Sequence, residues 1–222
     1  MKRVIVEGAS GYAGMELTRL LSWHPHLRLV GVGSNRWAGS TVQERLSLSG
    51  SVGELRYEGD PSASDVDGVF LATPPEASHG LIEKWRARGV AVVDLSNALR
   101  AREDVPYGLT EHFREALHGA PLIANPGCYP TATLNALLPF VQAGLVAEGM
   151  PVIVDAKSGA TGAGRKNADH LLFNELDQNH FPYRVGRHQH VPEIERFANR
   201  SVVFTPHLLP TRRGLLSTVY FH

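Results

Sequence analysis

Three features of the chain predict an α/β protein. A short apolar strand at the N-terminus runs into a glycine turn and then a helix. Strand-like apolar runs alternate with helical stretches as far as Ala124, the pattern of a parallel sheet with helices on both faces. A cysteine that opens a further helix then marks a second region. The expected architecture is a Rossmann-type doubly wound parallel sheet over residues 1–125, followed by an α/β catalytic domain over residues 126–222.

Lys2–Glu7 reads as a buried strand, Gly8-Ala9-Ser10-Gly11-Tyr12-Ala13-Gly14 as the turn, and Met15–Leu21 as the helix. Glycines let the backbone approach a pyrophosphate, and the helix N-terminus offers it free N–H groups. Gly8, Ser10, Gly11, Tyr12, Ala13 and Gly14 are therefore cofactor-binding candidates. The spacing GxxGxxG is a variant of the commoner GxGxxG, so its weight comes from the correct flanks. Leu27–Gly33 is the second strand. An acid often ends this strand in NAD enzymes, where it binds the ribose 2′-hydroxyl. Here Ser34-Asn35-Arg36 follows, and a hydroxyl and a guanidinium suit a 2′-phosphate better. NADP(H) is thus the expected cofactor, with Ser34 and Arg36 at the phosphate; the alternative is that Arg36 is a solvated loop residue.

Val66–Ala72 is the next strand and ends in Thr73-Pro74-Pro75. Ser78–Arg88 reads as a helix with Ser78 or a neighbour as its cap, Val90–Ser96 as a buried strand, and Leu122–Ala124 as a short strand leading into the cysteine turn. Ligands of such a sheet sit at the carboxyl ends of its strands. Thr73 and Ser96 therefore join the cofactor set and Asn125 the substrate set, with Cys128 expected beside the nicotinamide.

Asn125-Pro126-Gly127-Cys128-Tyr129-Pro130-Thr131 carries the only cysteine, ahead of a helix read from Tyr129 to Gly144. The positive end of the helix dipole favours a thiolate there, and a thiolate can hold an acyl group as a thioester. A lone cysteine is otherwise most often a small buried hydrophobe. A lone cysteine also forms no intrachain disulfide and fits a reducing cytoplasm. Lys plus Arg equals Asp plus Glu, 22 of each, so no bulk field recruits nucleic acid or anionic membrane. No apolar run spans a bilayer, and the N-terminus reads as a first strand and not a signal peptide.

Beyond the cysteine helix, Pro151–Ala156 reads as a strand ending in Lys157-Ser158-Gly159-Ala160-Thr161-Gly162-Ala163-Gly164-Arg165-Lys166. Small residues followed by two cations suggest an anion site built from backbone N–H groups and charge, or else a surface loop. Ser158 and Gly159 are assigned to the cofactor and Arg165 to the substrate. The stretch Gly186-Arg187-His188-Gln189-His190-Val191-Pro192-Glu193 holds two histidines at i and i+2. No further ligand completes a metal site, so none is expected. General acid–base work fits better, with one imidazole reaching Cys128 and the other, or Glu193, supporting it. Val202–Thr205 and Leu215–Phe221 read as strands, and Arg212 or Arg213 between them could grip a carboxylate or phosphate. Arg100, Arg165, Glu193 and Arg213 complete the substrate candidates with Asn125.

A nucleotide turn, a nucleophilic thiol, a histidine and anion-binding cations fit one reaction. Cys128 attacks the acyl carbon of an acyl phosphate and expels phosphate; hydride from NADPH then reduces the thioester, and the thiohemiacetal collapses to an aldehyde.

The motifs GASGYAG (Gly8–Gly14), NPGCYPT (Asn125–Thr131), SGATGAGR (Ser158–Arg165), HQHVPEI (His188–Ile194), FTPHL (Phe204–Leu208) and RGLL (Arg213–Leu216) touch the whole chain. On these the chain resembles the N-acetyl-γ-glutamyl-phosphate reductase family of arginine biosynthesis, within the semialdehyde dehydrogenases. The resemblance implies Cys128 as the acyl-accepting nucleophile and a histidine of the pair as acid–base, His190 ahead of His188. It implies a Rossmann NADP domain followed by a glyceraldehyde-phosphate-dehydrogenase-like domain, in a cytoplasmic dimer or tetramer. Aspartate-semialdehyde dehydrogenases share the chemistry but differ in their cysteine and histidine contexts. Reductases of the lysine pathway are nearer; Tyr129-Pro130 favours arginine synthesis, with the lysine-pathway acyl-phosphate reductase as the alternative. Two departures stand out: a shortened stretch between Asp94-Leu95-Ser96 and Tyr107-Gly108-Leu109, and an end at His222 where family members continue, so the second domain is expected to be C-terminally truncated. A fragment, a partner that covers the gap, or a non-catalytic nucleotide-binding module are the corresponding alternatives; a cysteine hydrolase would leave the glycine turn unexplained.

Overall fold

The computed structural model describes residues 1–61, 65–165 and 167–222. Contacts divide the chain into two units, Met1–Gly108 with Phe113–Asn125, and Leu109–His112 with Pro126–His222.

The first unit is a six-stranded parallel sheet. In chain order it contains β1 (Lys2–Glu7), α1 (Tyr12–Ser22), β2 (Leu27–Gly33), α2 (Val42–Leu46), α3 (Gly50–Gly53), β3 (Tyr57–Glu58), β4 (Gly68–Leu71), α4 (Pro75–Ala87), β5 (Ala91–Asp94), most of α5 (Thr110–Leu117) and β6 (Leu122–Ala124). Helix α5 loses helical geometry at Phe113, and its residues up to His112 group with the second unit. The strand order β3-β2-β1-β4-β5-β6 reverses direction between β1 and β4, the switch point at which such sheets bind dinucleotides. Successive residues of β1 point to opposite faces. Val4 and Val6 pack with Leu21, Leu29 and Val42, whereas Ile5 packs with Val69, Ile82 and Trp85. A strand buried on both faces needs a continuous apolar stretch, and Val4-Ile5-Val6 supplies it in β1.

The second unit carries α6 (Cys128–Gln142), β7 (Val152–Gly159), α7 (Phe173–Leu176), β8 (Phe181–Pro182), α8 (Val191–Ala198), β9 (Val202–Leu209) and β10 (Leu215–Tyr220). Its mixed sheet has the order β10-β7-β9-β8, with β7 and β9 parallel and both edge strands antiparallel to their neighbours. Helices α6 and α8 cover one face, where Val152, Val154, Ala156 and Phe204 are buried. The opposite face leaves Ile153, Val203, Leu216 and Tyr220 about half exposed, at 46%, 50%, 60% and 56%.

Several boundaries differ from the sequence reading. Helix α1 begins at Tyr12, so Tyr12, Ala13 and Gly14 form its first turn and not the loop before it. Ser78 does not cap α4; the cap is Pro74, and Ser78 lies buried inside the helix, bonded to Thr73. Proline at the first turn suits a helix start, since its missing N–H has no helical partner there. Strand β9 runs through Pro206 and His207 to Leu209, and β7 runs on through Ser158 and Gly159. Pairing of β7 with β9 from Val152↔Val202 to Gly159↔Leu209 carries both strands past the residues that local propensity would make loop.

Candidate active site

Two glycines of the nucleotide turn are required by packing. Gly8 has φ +75, and a Cβ there would lie 2.4 Å from the Ala72 carbonyl at the end of β4. A Cβ on Gly14 would lie 2.4 Å from the Gly8 carbonyl, so Gly14 lets α1 seat on the turn. Gly11 is different: it caps α1 with ordinary extended geometry (φ −75) and makes no side-chain cap bond, and a Cβ there would meet only main-chain carbonyls at 3.4 Å or more. The N-terminus of α1 is thereby left to bind an anion through its N–H groups. At the end of β2 the Ser34 hydroxyl donates to Ser10 Oγ at 2.8 Å and accepts from Trp37 N–H. Arg36 is exposed, with no ion-pair partner among the described residues. These groups fit a dinucleotide with a 2′-phosphate: a helix N-terminus for pyrophosphate, and hydroxyls and a guanidinium at the end of β2. Thr73 and Ser96 lie at strand ends as expected, but their hydroxyls have internal partners. Thr73 shares a 2.8 Å bond with Ser78, and Ser96 donates to the buried Asp94 carboxylate at 2.8 Å. Arg100 is buried, and its guanidinium donates to the carbonyls of Asn125 and Leu95, each at 2.8 Å. It ties the ends of β5 and β6 together, a role that sequence alone did not suggest.

In the second unit Cys128 is the first residue of α6, follows the cap Gly127, and is exposed. A buried packing cysteine is therefore not what the fold contains. As the first residue of α6 the thiol sits at the end of the helix whose dipole favours a thiolate. Thr131 closes the first turn by donating its hydroxyl to the Gly127 carbonyl at 2.8 Å, and the buried Glu193 of α8 accepts the Gly127 N–H at 2.9 Å.

Cys128 opens onto a cavity of about 590 Å³ whose walls include Tyr129, Ser158, Tyr183, His188 and His190. His188 and His190 are both buried, with ring centroids 4.8 Å apart. The His190 N–H donates to Nδ1 of His188 at 3.2 Å, so neutral His188 carries its proton on Nε2. Burial, with a smaller contribution from the Arg184 charge, holds the His188 imidazole down to about 4, and it is neutral at physiological pH. Burial raises Tyr129 well above the usual phenol range and raises Tyr183 as well, so both stay protonated. Their hydroxyls lie 3.4 Å apart.

The main-chain anion site expected after β7 is not formed by its leading residues. The N–H groups of Gly159, Ala160 and Thr161 donate to the carbonyls of Gly214, Thr211 and Arg212. A Cβ on Gly159 would lie 2.9 Å from Arg213 N, so this glycine serves the close approach of two backbones. Of the two cations that follow, Lys166 lies outside the described residues. Arg165 and Arg213 are exposed, and neither they nor Glu193 line the cavity. The sequence reading missed Tyr129, Tyr183 and Arg184 as cavity residues; the only signal was their closeness in sequence to Cys128 and His188.

A glycine turn at a parallel-sheet switch point, together with a thiol at a helix N-terminus, defines a dinucleotide-dependent dehydrogenase of the thiol type. Comparison with known proteins gives the same class. Residues 3–120 match the family described as "Semialdehyde dehydrogenase, NAD binding domain", and residues 128–222 match "Semialdehyde dehydrogenase, dimerisation domain". Relatives named N-acetyl-gamma-glutamyl-phosphate reductase include one from Geobacillus stearothermophilus, 41% identical over 99% of this chain and 71% of its own length. Another, from Aquifex aeolicus, is 40% identical over 98% of this chain and again 71% of its own. The first alignment extends over 247 positions against 222 residues in this chain, so that relative carries residues which this chain lacks within the matched span. Among solved structures, aspartate semialdehyde dehydrogenase II from Vibrio cholerae, complexed with ASA, shares the fold (TM-score 0.81, 18% identity, 99% of this chain and 73% of that one). So does aspartate semialdehyde dehydrogenase with NADP from Candida albicans (TM-score 0.70, 17% identity, 100% and 71%). The chain therefore belongs to the semialdehyde dehydrogenase family, and within it to the N-acetyl-gamma-glutamyl-phosphate reductases. It is an oxidoreductase with a nicotinamide-dinucleotide domain, and no described helix is long and apolar enough to cross a membrane.

Proposed function

We propose that the chain performs the reaction after which its relatives are named, the NADPH-dependent reduction of N-acetyl-γ-glutamyl phosphate to N-acetylglutamate semialdehyde and phosphate, in arginine biosynthesis. The observation that carries this is the exposed Cys128 at the start of α6, opening onto a cavity walled by His188 and His190. Cys128 attacks the acyl carbon, and the C–O bond to phosphate breaks as the thioester forms. Bound NADPH supplies the hydride that reduces the thioester. Gly8, Gly11 and Gly14 give its pyrophosphate access to the N-terminus of α1, Ser10 and Ser34 accompany the adenosine end, and Arg36 takes the 2′-phosphate. His190 moves the proton as the thiohemiacetal collapses. Neutral His188, its Nδ1 held by the His190 N–H, supports that geometry. Glu193 acts from behind, through the turn that carries Cys128.

Self-association as a dimer or tetramer fits the dimerisation domain matched over residues 128–222, and a second copy would cover the half-exposed Ile153, Val203, Leu216 and Tyr220. The lone thiol suits a reducing cytoplasm.

The test is phosphate-dependent reduction of NADP by N-acetylglutamate semialdehyde, with wild type beside Cys128→Ser. Turnover in wild type alone, with NADP affinity equal in both, supports the thioester route. NADP binding without turnover or thiol acylation would indicate a nucleotide-binding module. Loss of NADP affinity in the serine variant would show that Cys128 has been placed wrongly.

A further inference from the structure

Among the described residues, the cavity beside Cys128 has a single permanently charged wall residue, Arg184. No carboxylate lines the space, and the Arg184 guanidinium has no ion-pair partner among the described residues. The residue lies on the loop between β8 and α8, four positions before His188. Its backbone is left-handed, with φ 48. The other described non-glycine residues in that region are Ser47, Asp65, Gln178 and Asn199, all short or polar turn residues; a long cationic side chain there is the exception. Such a conformation is sterically costly and persists where the surroundings hold it, and such residues cluster at functional sites. Its charge bears on two wall residues: it adds to the depression of His188, which burial dominates, and slightly offsets the rise that burial gives Tyr183.

We propose that Arg184 is the oxyanion anchor of this cavity, its planar guanidinium gripping two oxygens of the anionic group of whatever molecule presents its acyl carbon to Cys128. The inference rests on Cys128 being the nucleophile, and it replaces Arg165 and Arg213 as the first substrate-binding cation. The substrate class has two such groups, a phosphate and a carboxylate, and the guanidinium fork suits either.

Alkylation of the single cysteine tests this without requiring turnover. Iodoacetate is an anion and iodoacetamide is neutral, so their rate ratio at Cys128 reads the local positive charge. In wild type the ratio should exceed that of Arg184→Asn by roughly 3- to 10-fold at low ionic strength, and the excess should collapse in high salt. Asparagine tolerates left-handed backbone, so this variant keeps the loop; Arg184→Lys provides a second variant and should retain most of the ratio. Inorganic phosphate and N-acetylglutamate are the protecting probes. Phosphate protection lost in Arg184→Asn assigns the guanidinium to the leaving phosphate, and N-acetylglutamate protection lost assigns it to a carboxylate. An unchanged ratio together with unchanged protection would overturn the proposal. Failure of the reductase assignment would show separately, as absent phosphate-dependent NADP reduction by wild type.

Discussion

The Glu193 carboxylate accepts the Gly127 N–H at 2.9 Å and so holds the turn that presents Cys128. Both groups are buried, so removing the acceptor leaves an unsatisfied donor worth about 1–3 kcal/mol. Glu193→Ala should lower the melting temperature and cut kcat by roughly 100-fold through misplacement of the thiol, with KM changing far less. Glu193→Gln keeps an oxygen acceptor and should lose under about 5-fold. Equal losses in both variants would point to the charge and not to the turn.

His188 makes stability depend on pH. Its folded value near 4 lies below the ordinary 6.5, so the unfolded chain takes up the proton first as pH falls. Its contribution is fully present above about pH 6.5 and is lost as pH falls toward 4, at most about 3 kcal/mol. Denaturant melts between pH 7 and 4 should show this loss, and His188→Phe should flatten it.

The three glycines of the nucleotide turn should separate into two kinds. Gly8→Ala and Gly14→Ala place a Cβ 2.4 Å from main-chain oxygens and should destabilise by roughly 3 kcal/mol or more. Gly11→Ala finds only ordinary contacts in the protein, so its melting temperature should hardly move while NADP affinity falls. Calorimetric titration beside thermal melts would distinguish these, and unchanged affinity in Gly11→Ala would remove that residue from the cofactor site.

Arg36 has no described ion-pair partner, and its removal should leave the fold intact. Arg36→Ala should weaken NADP binding about 10-fold, or roughly 1.4 kcal/mol, and leave NAD binding unchanged. Equal loss for both dinucleotides would exclude a 2′-phosphate contact.

Glu7 is a charge inside a central strand, 5% exposed, its carboxylate accepting from Trp85 Nε1 at 3.3 Å. Burial raises its pKa, so the protonated form favours folding and that contribution is lost as pH rises through the folded value. Glu7→Gln should stabilise the protein by roughly 1 kcal/mol at pH 8, with the gain shrinking as the pH is lowered. A lower melting temperature at pH 8 would show that the ionised carboxylate is needed.

What the sequence determined by itself was whatever local chemistry specifies. The apolar stretches Val4–Val6 of β1, Leu29–Val32 of β2 and Leu122–Ala124 of β6, the glycine turn and the cysteine at a helix start each carry their own physical signature within a few residues. Tertiary structure decided which polar groups are available. The N–H groups of Gly159, Ala160 and Thr161 look open to an anion until the Thr211–Gly214 backbone accepts from them. Arg100 looks like a substrate cation until two carbonyls accept from it, whereas Arg184 looks like any surface arginine until the loop brings it to the wall of the Cys128 cavity. Partners such as Asn125 for Arg100 and Gly214 for Gly159 lie tens of residues away along the chain, and no local pattern records which hydrogen bonds folding will already have satisfied.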